Sequence, residues 1–204
     1  HLGGGAGITY DISDHFSGRF HLLFGKISAN DKYGKNASRN LSFASNIMEG
    51  QVALQYYLWP LNSKSVTPYA FGGIAVFHFN PYTYDSTQAK YFLKPLSTEG
   101  EGIVQGRKPY SLTQFSIPFG GGIKLSLTDD INVGLEIGLR KTFSDYIDDV
   151  SKTYVDPTIL LTERGAKAVE LAYRGGEVKN GDPNYPDPNG PRRLRGNPNS
   201  KDWY

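Results

Sequence analysis

Glu136 and Arg140 stand four residues apart, opposite in charge, in a stretch whose side chains alternate between apolar and polar. In an extended chain that spacing puts both on one face. Arg19, His21, Glu49, Gln51, Gln55 and Lys124 hold equivalent places in three other alternating stretches. Side chains of this kind, converging from several strands, either bind and move charge or pair with one another and fill the space they enclose. A small barrel is only wide enough to be filled by its own side chains. The expected role is therefore structural: a charge-paired interior satisfied by its own hydrogen bonds.

Other candidates are weaker. Asp145, Asp148, Asp149 and Asp156 form an acidic run of the type that binds calcium through oxygen ligands, but their spacing departs from the EF-hand loop, and a solvated loop is expected. Residues 180–199 are dense in Pro, Asn, Gly and Asp around Arg192, Arg193 and Arg195. Basic clusters can meet nucleic acid or lipopolysaccharide, yet this composition favours a solvated, irregular loop. The histidines His1, His15, His21 and His78 lack metal spacing, and the chain has no nucleophile elbow, P-loop or dinucleotide fingerprint. The expectation is a protein with no catalytic residue, no cofactor, no metal and no nucleic-acid partner.

The elements that would position the polar set are strands. In residues 131–143, Ile131, Val133, Leu135, Ile137, Leu139 and Phe143 share one face, broken only by Lys141, while Glu136 and Arg140 lie on the other. A helix, with its period near 3.6, would mix the two sets. Residues 2–10, 16–26, 48–58 and 111–127 repeat the pattern, with Leu23 as an exception. Residues 66–80 carry apolar side chains on both faces, so their inner side is undetermined by periodicity. Gly3–Gly5 and Gly120–Gly122 lie inside strands and suit close packing rather than phosphate binding. Residues 157–174 are expected to hold a short helix, with Ile159, Leu160, Val169 and Leu171 toward one side and Gly165 against it.

Several strands run for roughly 12 residues, longer than the usual 5 to 6 and long enough to cross a bilayer when tilted. Tight polar turns at residues 11–14, 62–65 and 128–130 alternate with long loops at about 29–45, 81–110 and 144–202. Short turns on one side and long loops on the other is the outer-membrane arrangement. A soluble lipocalin-like barrel, with the apolar face inside, is the competing reading. Composition agrees with strands: 24 Gly, 14 Tyr, 11 Phe and 2 Trp against 1 Met among 204 residues. Charge is balanced at +2, which gives no global field for nucleic acid. With no cysteine, disulfides and thiol chemistry are excluded. No apolar run is long enough for a transmembrane helix.

Particular residues also resemble a family. Tyr110-Ser-Leu-Thr-Gln-Phe-Ser-Ile-Pro-Phe-Gly-Gly-Gly-Ile-Lys124 and Gly138-Leu-Arg-Lys-Thr-Phe-Ser-Asp-Tyr-Ile-Asp-Asp-Val-Ser-Lys-Thr-Tyr-Val-Asp156 are similar to segments of the PorG-type outer-membrane barrels of Bacteroidetes. So are Ala37-Ser-Arg-Asn-Leu-Ser-Phe43, Pro68-Tyr-Ala-Phe-Gly-Gly-Ile74 and Gly196-Asn-Pro-Asn-Ser-Lys-Asp-Trp-Tyr204. The resemblance implies an eight-stranded antiparallel transmembrane β-barrel of the type IX secretion system. Its implied partners are the periplasmic ring lipoprotein and that lipoprotein's ring partner, of PorK and PorN type, together with outer-membrane lipid.

The expected architecture is thus a single all-β domain with about six strands in this chain. An eighth-strand complement would come from a first strand before His1 and a last one after Tyr204. The expected function is non-enzymatic: anchoring or docking the periplasmic ring at the outer membrane. Asp11, Asp14, Asn62, Lys64, Asp129 and Asp130, in the short turns, are the candidate partner contacts. The alternative is a self-contained small barrel that binds a surface ligand or acts on lipid.

Overall fold

A computed structural model of the chain describes residues 3–60, 65–128, 131–191 and 193–204. The alternating stretches become β1 (Gly3–Asp11), β2 (Phe16–Asn30), β3 (Ser42–Tyr57), β4 (Val66–His78), β7 (Thr113–Ser126) and β8 (Asn132–Thr142), with short strands β5 (Tyr82–Tyr84) and β6 (Lys90–Phe92) between β4 and β7. The six long strands form one antiparallel meander in the order β1-β2-β3-β4-β7-β8, curled into a half-barrel. The β5–β6 hairpin joins its upper rim where Tyr82 pairs with Ala44 of β3.

The polar faces turn inward. Ser17 and Arg19 of β2 and Glu49, Gln51 and Gln55 of β3 are buried, while Phe20, Leu22, Phe24, Met48, Val52 and Leu54 are exposed. An apolar interior of the lipocalin kind is therefore not the arrangement adopted. The ambiguous β4 also resolves: Thr67, Phe71, Ala75 and Phe77 point in, and Val66, Ile74 and Val76 point out. At the upper end the interior is closed by an apolar cluster of Ile47, Phe77, Phe79, Tyr110 and Ile147, with Tyr146 stacked on Tyr110 and Tyr204 tilted against Phe77.

The loops differ from expectation in three ways. First, β2 and β3 stay paired from Asn30↔Ser42 downward, so the loop at 29–45 shrinks to residues 31–41. The ladder persists there although the outward residues (Lys26, Ser28, Asn30) cease to be apolar and the alternation fades. Second, the predicted helix exists in two pieces, α1 (Pro157–Arg164) and α2 (Ala166–Ala172). Asp156 caps α1 by accepting from the Thr158 N–H at 2.8 Å, and Gly165, at φ +85°, divides the two. Leu160 and Leu171 are buried, whereas Ile159 faces out.

Third, the acidic run and the Pro-rich tail are not simply solvated. Asp145, Asp149 and Arg195 are buried, because the three loops fold together into a crown over the barrel's upper end. At the other end, residues 11–14 make a tight turn in which the Ile12 and Ser13 N–H groups both donate to the Phe16 carbonyl. Of the turn residues singled out as partner contacts, Asp11 and Asp14 are exposed. Asn62, Lys64, Asp129 and Asp130 lie outside the described residues, as does Arg192.

Candidate functional site

Parity along four strands brings most of the sequence-predicted polar set into one interior. Arg19 reaches from β2 across to β8, where its Nη1 and Nη2 donate to the two Glu136 carboxylate oxygens at 2.5 and 3.2 Å. Its guanidinium lies 3.9 Å from the Phe71 ring centroid. The Gln51 amide oxygen, in the orientation that satisfies both ends of the amide, accepts from Arg19 Nε and Nη2 at 3.2 and 2.9 Å. A second pair, Arg140 with Glu49 at 3.3 Å, sits nearer the crown. The bidentate Arg19–Glu136 contact both satisfies and orients the carboxylate. Gln55 accepts from the Tyr57 hydroxyl at 3.4 Å, and Lys124 Nζ lies 5.4 Å from the Tyr57 ring centroid. His21 faces inward opposite Gly7. Among the described residues, neither His21 nor Lys124 joins the ion pairs.

Three participants escaped the sequence reading. Tyr69 donates to Glu136 Oε2 at 2.9 Å, and Tyr204 donates to Glu49 Oε2 at 2.6 Å. Phe71 supplies the platform under Arg19. The available signal was glycine: a Cβ at Gly120 would stand 2.1 Å from the Ile137 carbonyl oxygen and 2.8 Å from the Phe71 ring. Gly122 likewise leaves room for the Tyr69 ring, which a Cβ would approach to 2.9 Å. Inward glycines on β7 and β8 are thus the sockets for aromatic side chains of β4.

The crown holds a second buried charge cluster that local pattern did not reveal. Glu99 accepts from the Ser151 and Lys152 N–H groups at 2.9 and 2.7 Å and faces Arg195 at 3.4 Å. Asp149 accepts from Thr98 Oγ1 at 2.5 Å and from the Tyr110 hydroxyl at 2.7 Å, and Arg195 donates to its carbonyl oxygen. Glu101 is buried beside them, with Oε1 lacking a hydrogen-bond partner among the described residues. Burial, reinforced by the Asp149 and Glu99 charges, pushes its carboxyl up to about 7. Burial also raises Asp149 to about 6 and Asp148 to about 7. Among the described residues no three His, Asp or Glu side chains converge in a way that would hold a metal ion. Arg195 ties three loops together, its side chain reaching Glu99 and the Asp149 carbonyl while its own carbonyl accepts from Arg39.

Outside, the sheet presents a continuous apolar girdle, with Ile8, Ile74, Leu135 and Ile137 each at least 68% exposed. No helix among the described residues is long and apolar enough to cross a membrane, which leaves strand crossing open. Interior charge and exterior hydrocarbon together define a class: an antiparallel half-barrel whose polarity is the reverse of a water-soluble fold. Residues 5–156 match the family described as a domain of unknown function, DUF6089, and the chain belongs to that family. The match takes in the six long strands from Gly5 of β1 onward and the acidic segment that follows β8. No curated protein and no solved structure matches the chain.

Proposed function

We propose that the chain forms the wall of an outer-membrane β-barrel and acts, without catalysis, as an anchor and docking partner for the periplasmic ring of a type IX protein secretion system. The observation that carries the membrane part is the inverted polarity of the sheet: Arg19, Glu49 and Gln51 buried, Ile74, Leu135 and Ile137 exposed. Each large apolar side chain gains about 1.5–3 kcal/mol on leaving water, and a girdle spanning every strand far exceeds the apolar patches that soluble monomers tolerate. Lipid is the solvent in which this sheet is not inside out.

Lipid also imposes closure. The outer edge of β1 and most of that of β8 have no strand partner among the described residues, and Asp202–Tyr204 covers only the upper end of β8 through Lys141↔Trp203. Unpaired backbone groups in hydrocarbon cost several kcal/mol each, so this reading requires a strand against each edge, eight in all. The docking role is supported by the resemblance to PorG-type barrels, and the short turns at Asp11 and Asp14 are its candidate contacts with the ring of PorK and PorN type.

The test is a pull-down of the full-length protein from outer membranes in mild detergent, with mass spectrometry of the bound proteins. Stoichiometric recovery of the ring lipoprotein and its partner is expected. A membrane-integral barrel recovered without either would overturn the docking role and leave the alternative, a self-contained barrel with a surface ligand. Recovery of the chain in the soluble fraction would overturn the membrane reading as well.

A further inference from the structure

The outward faces of β2, β3, β4 and β7 turn from apolar to polar toward the crown. Phe24 and Met48 are cross-strand neighbours on β2 and β3, and two residues toward the crown the next outward pair is Lys26 and Asn46. On β4 and β7 the neighbours Val76 and Phe115 give way, two residues on, to His78 and Thr113. Since Met48 pairs with His78, the change on β4 falls within one outward step of the change on β3. That zone is the crown-side boundary between hydrocarbon and headgroups in the membrane reading above, on which this inference rests.

At the boundary two lysines share one aromatic platform. Lys90 Nζ, from β6, lies 3.8 Å from the Tyr82 ring centroid, and Lys26 Nζ, from β2, lies 5.6 Å from it. Tyr82 is buried under them and packs edge-on against Tyr84 and Phe92. Both lysines are exposed, and neither enters an ion pair among the described residues. The carboxylates of the flanking segments are engaged elsewhere, Asp31 with Arg39 and Asp85 with Lys167. Further along the same outward face of β2, Ser28 and Asn30 help line a cleft of about 340 Å³ together with Tyr33 and Tyr84.

We propose that Lys26 and Lys90 bind the phosphate of an anionic lipid headgroup, with the cleft receiving the headgroup's polar remainder. Two ammonium groups drawn to one ring repel each other, and an anion between a lipid surface and the ring removes that repulsion. Lysine stems and tyrosine rings suit this depth, because each has an apolar body and a polar tip. A lipid uses the site fully: its acyl chains run down over Phe24 and Met48, which a free anion would leave untouched.

The experiment places the protein in nanodiscs of phosphatidylcholine with and without phosphatidylglycerol and measures co-purifying lipid by native mass spectrometry. The wild type is expected to retain phosphatidylglycerol over phosphatidylcholine. At about fivefold per lysine near an anionic surface, K26Q/K90Q should weaken that preference about 30-fold. K26R/K90R, which keeps the charge, should preserve it. Equal retention by K26Q/K90Q and the wild type would overturn the proposal, and so would loss in K26R/K90R as large as in K26Q/K90Q. Displacement of the lipid by inorganic phosphate would overturn it too, by showing a site for a free anion. Insertion without lipid preference sinks this inference alone, whereas failure to enter either nanodisc sinks the membrane reading with it.

Discussion

Arg19→Met removes a guanidinium whose side chain is only 2% exposed and leaves the Glu136 carboxylate facing the interior without its cation. The loss has two parts. Glu136 gives up two charge-assisted hydrogen bonds and keeps the one from Tyr69. Breaking a fully buried pair from one side costs about 3–5 kcal/mol, chiefly through the stranded charge. Glu136, however, is 28% exposed at its side chain, and that solvation lowers the figure to about 2–3 kcal/mol. Methionine still packs on Phe71, so little is lost at the ring. The companion variant R19M/E136Q removes the stranded charge, and its stability should recover to within about 1 kcal/mol of wild type. Equilibrium urea unfolding of the protein in lipid vesicles, followed by tryptophan fluorescence, measures both. A single variant within about 0.5 kcal/mol of wild type, or a double variant no better than the single, would refute the claim that the interior is held by charge pairing rather than by shape.

Three further predictions follow from separate parts of the molecule. Glu101 keeps its proton in the folded crown up to about 7, against 4.5 ordinarily. Its contribution is therefore complete below the ordinary value and is lost as pH rises through the folded one, and amide protection at Ser151 and Lys152 should fall about tenfold more between pH 6 and 8 in wild type than in Glu101→Gln. Identical falls would show that another group is responsible. Gly120→Val forces a Cβ into the Ile137 carbonyl and should cost about 2–3 kcal/mol or prevent folding. Gly72→Ala, with nothing within 4 Å of its Cβ, should be near neutral in the same unfolding assay. Ile137→Lys, at a site 75% exposed, should destabilise the membrane-inserted protein by about 2–4 kcal/mol; no effect in vesicles would place that face outside lipid.

What the sequence revealed and what it concealed divides along the same physical line. Strand parity groups residues by face, so Arg19, Glu49, Gln51, Glu136 and Arg140 were legible as one polar set from spacing. Only strand length and the sorting of loops pointed that face inward, and the structure joins the set across the lumen. Parity is silent where both sides are apolar, which is why the inner face of β4, and with it Tyr69 and Phe71, needed the structure. Loops have no period. Arg195 meets Glu99 across 96 residues of sequence, and nothing local distinguishes it from its exposed neighbour Arg193.

The two buried clusters also follow different burial rules. Below the level of Lys26 and His78 the chain buries charge and exposes hydrocarbon; above it, the crown buries Val155, Leu160 and Ala172 as a water-soluble domain would. Under the proposed membrane reading each rule has its own solvent, and β2 and β3 run through both levels without interrupting their ladder. The crown's charges fit this account. Arg195 is tolerated in an ordinary core because Glu99 and the backbone carbonyls of Ala172 and Asp149 satisfy it, and in return it fixes how the loops seat on the barrel. Arg195→Met should therefore loosen the crown to proteolysis while leaving the strand ladder of the sheet protected in hydrogen exchange. Simultaneous loss of protection in β2 and β3 would mean that crown and wall fold as one cooperative unit, and that the boundary at Lys26 divides solvents but not stability.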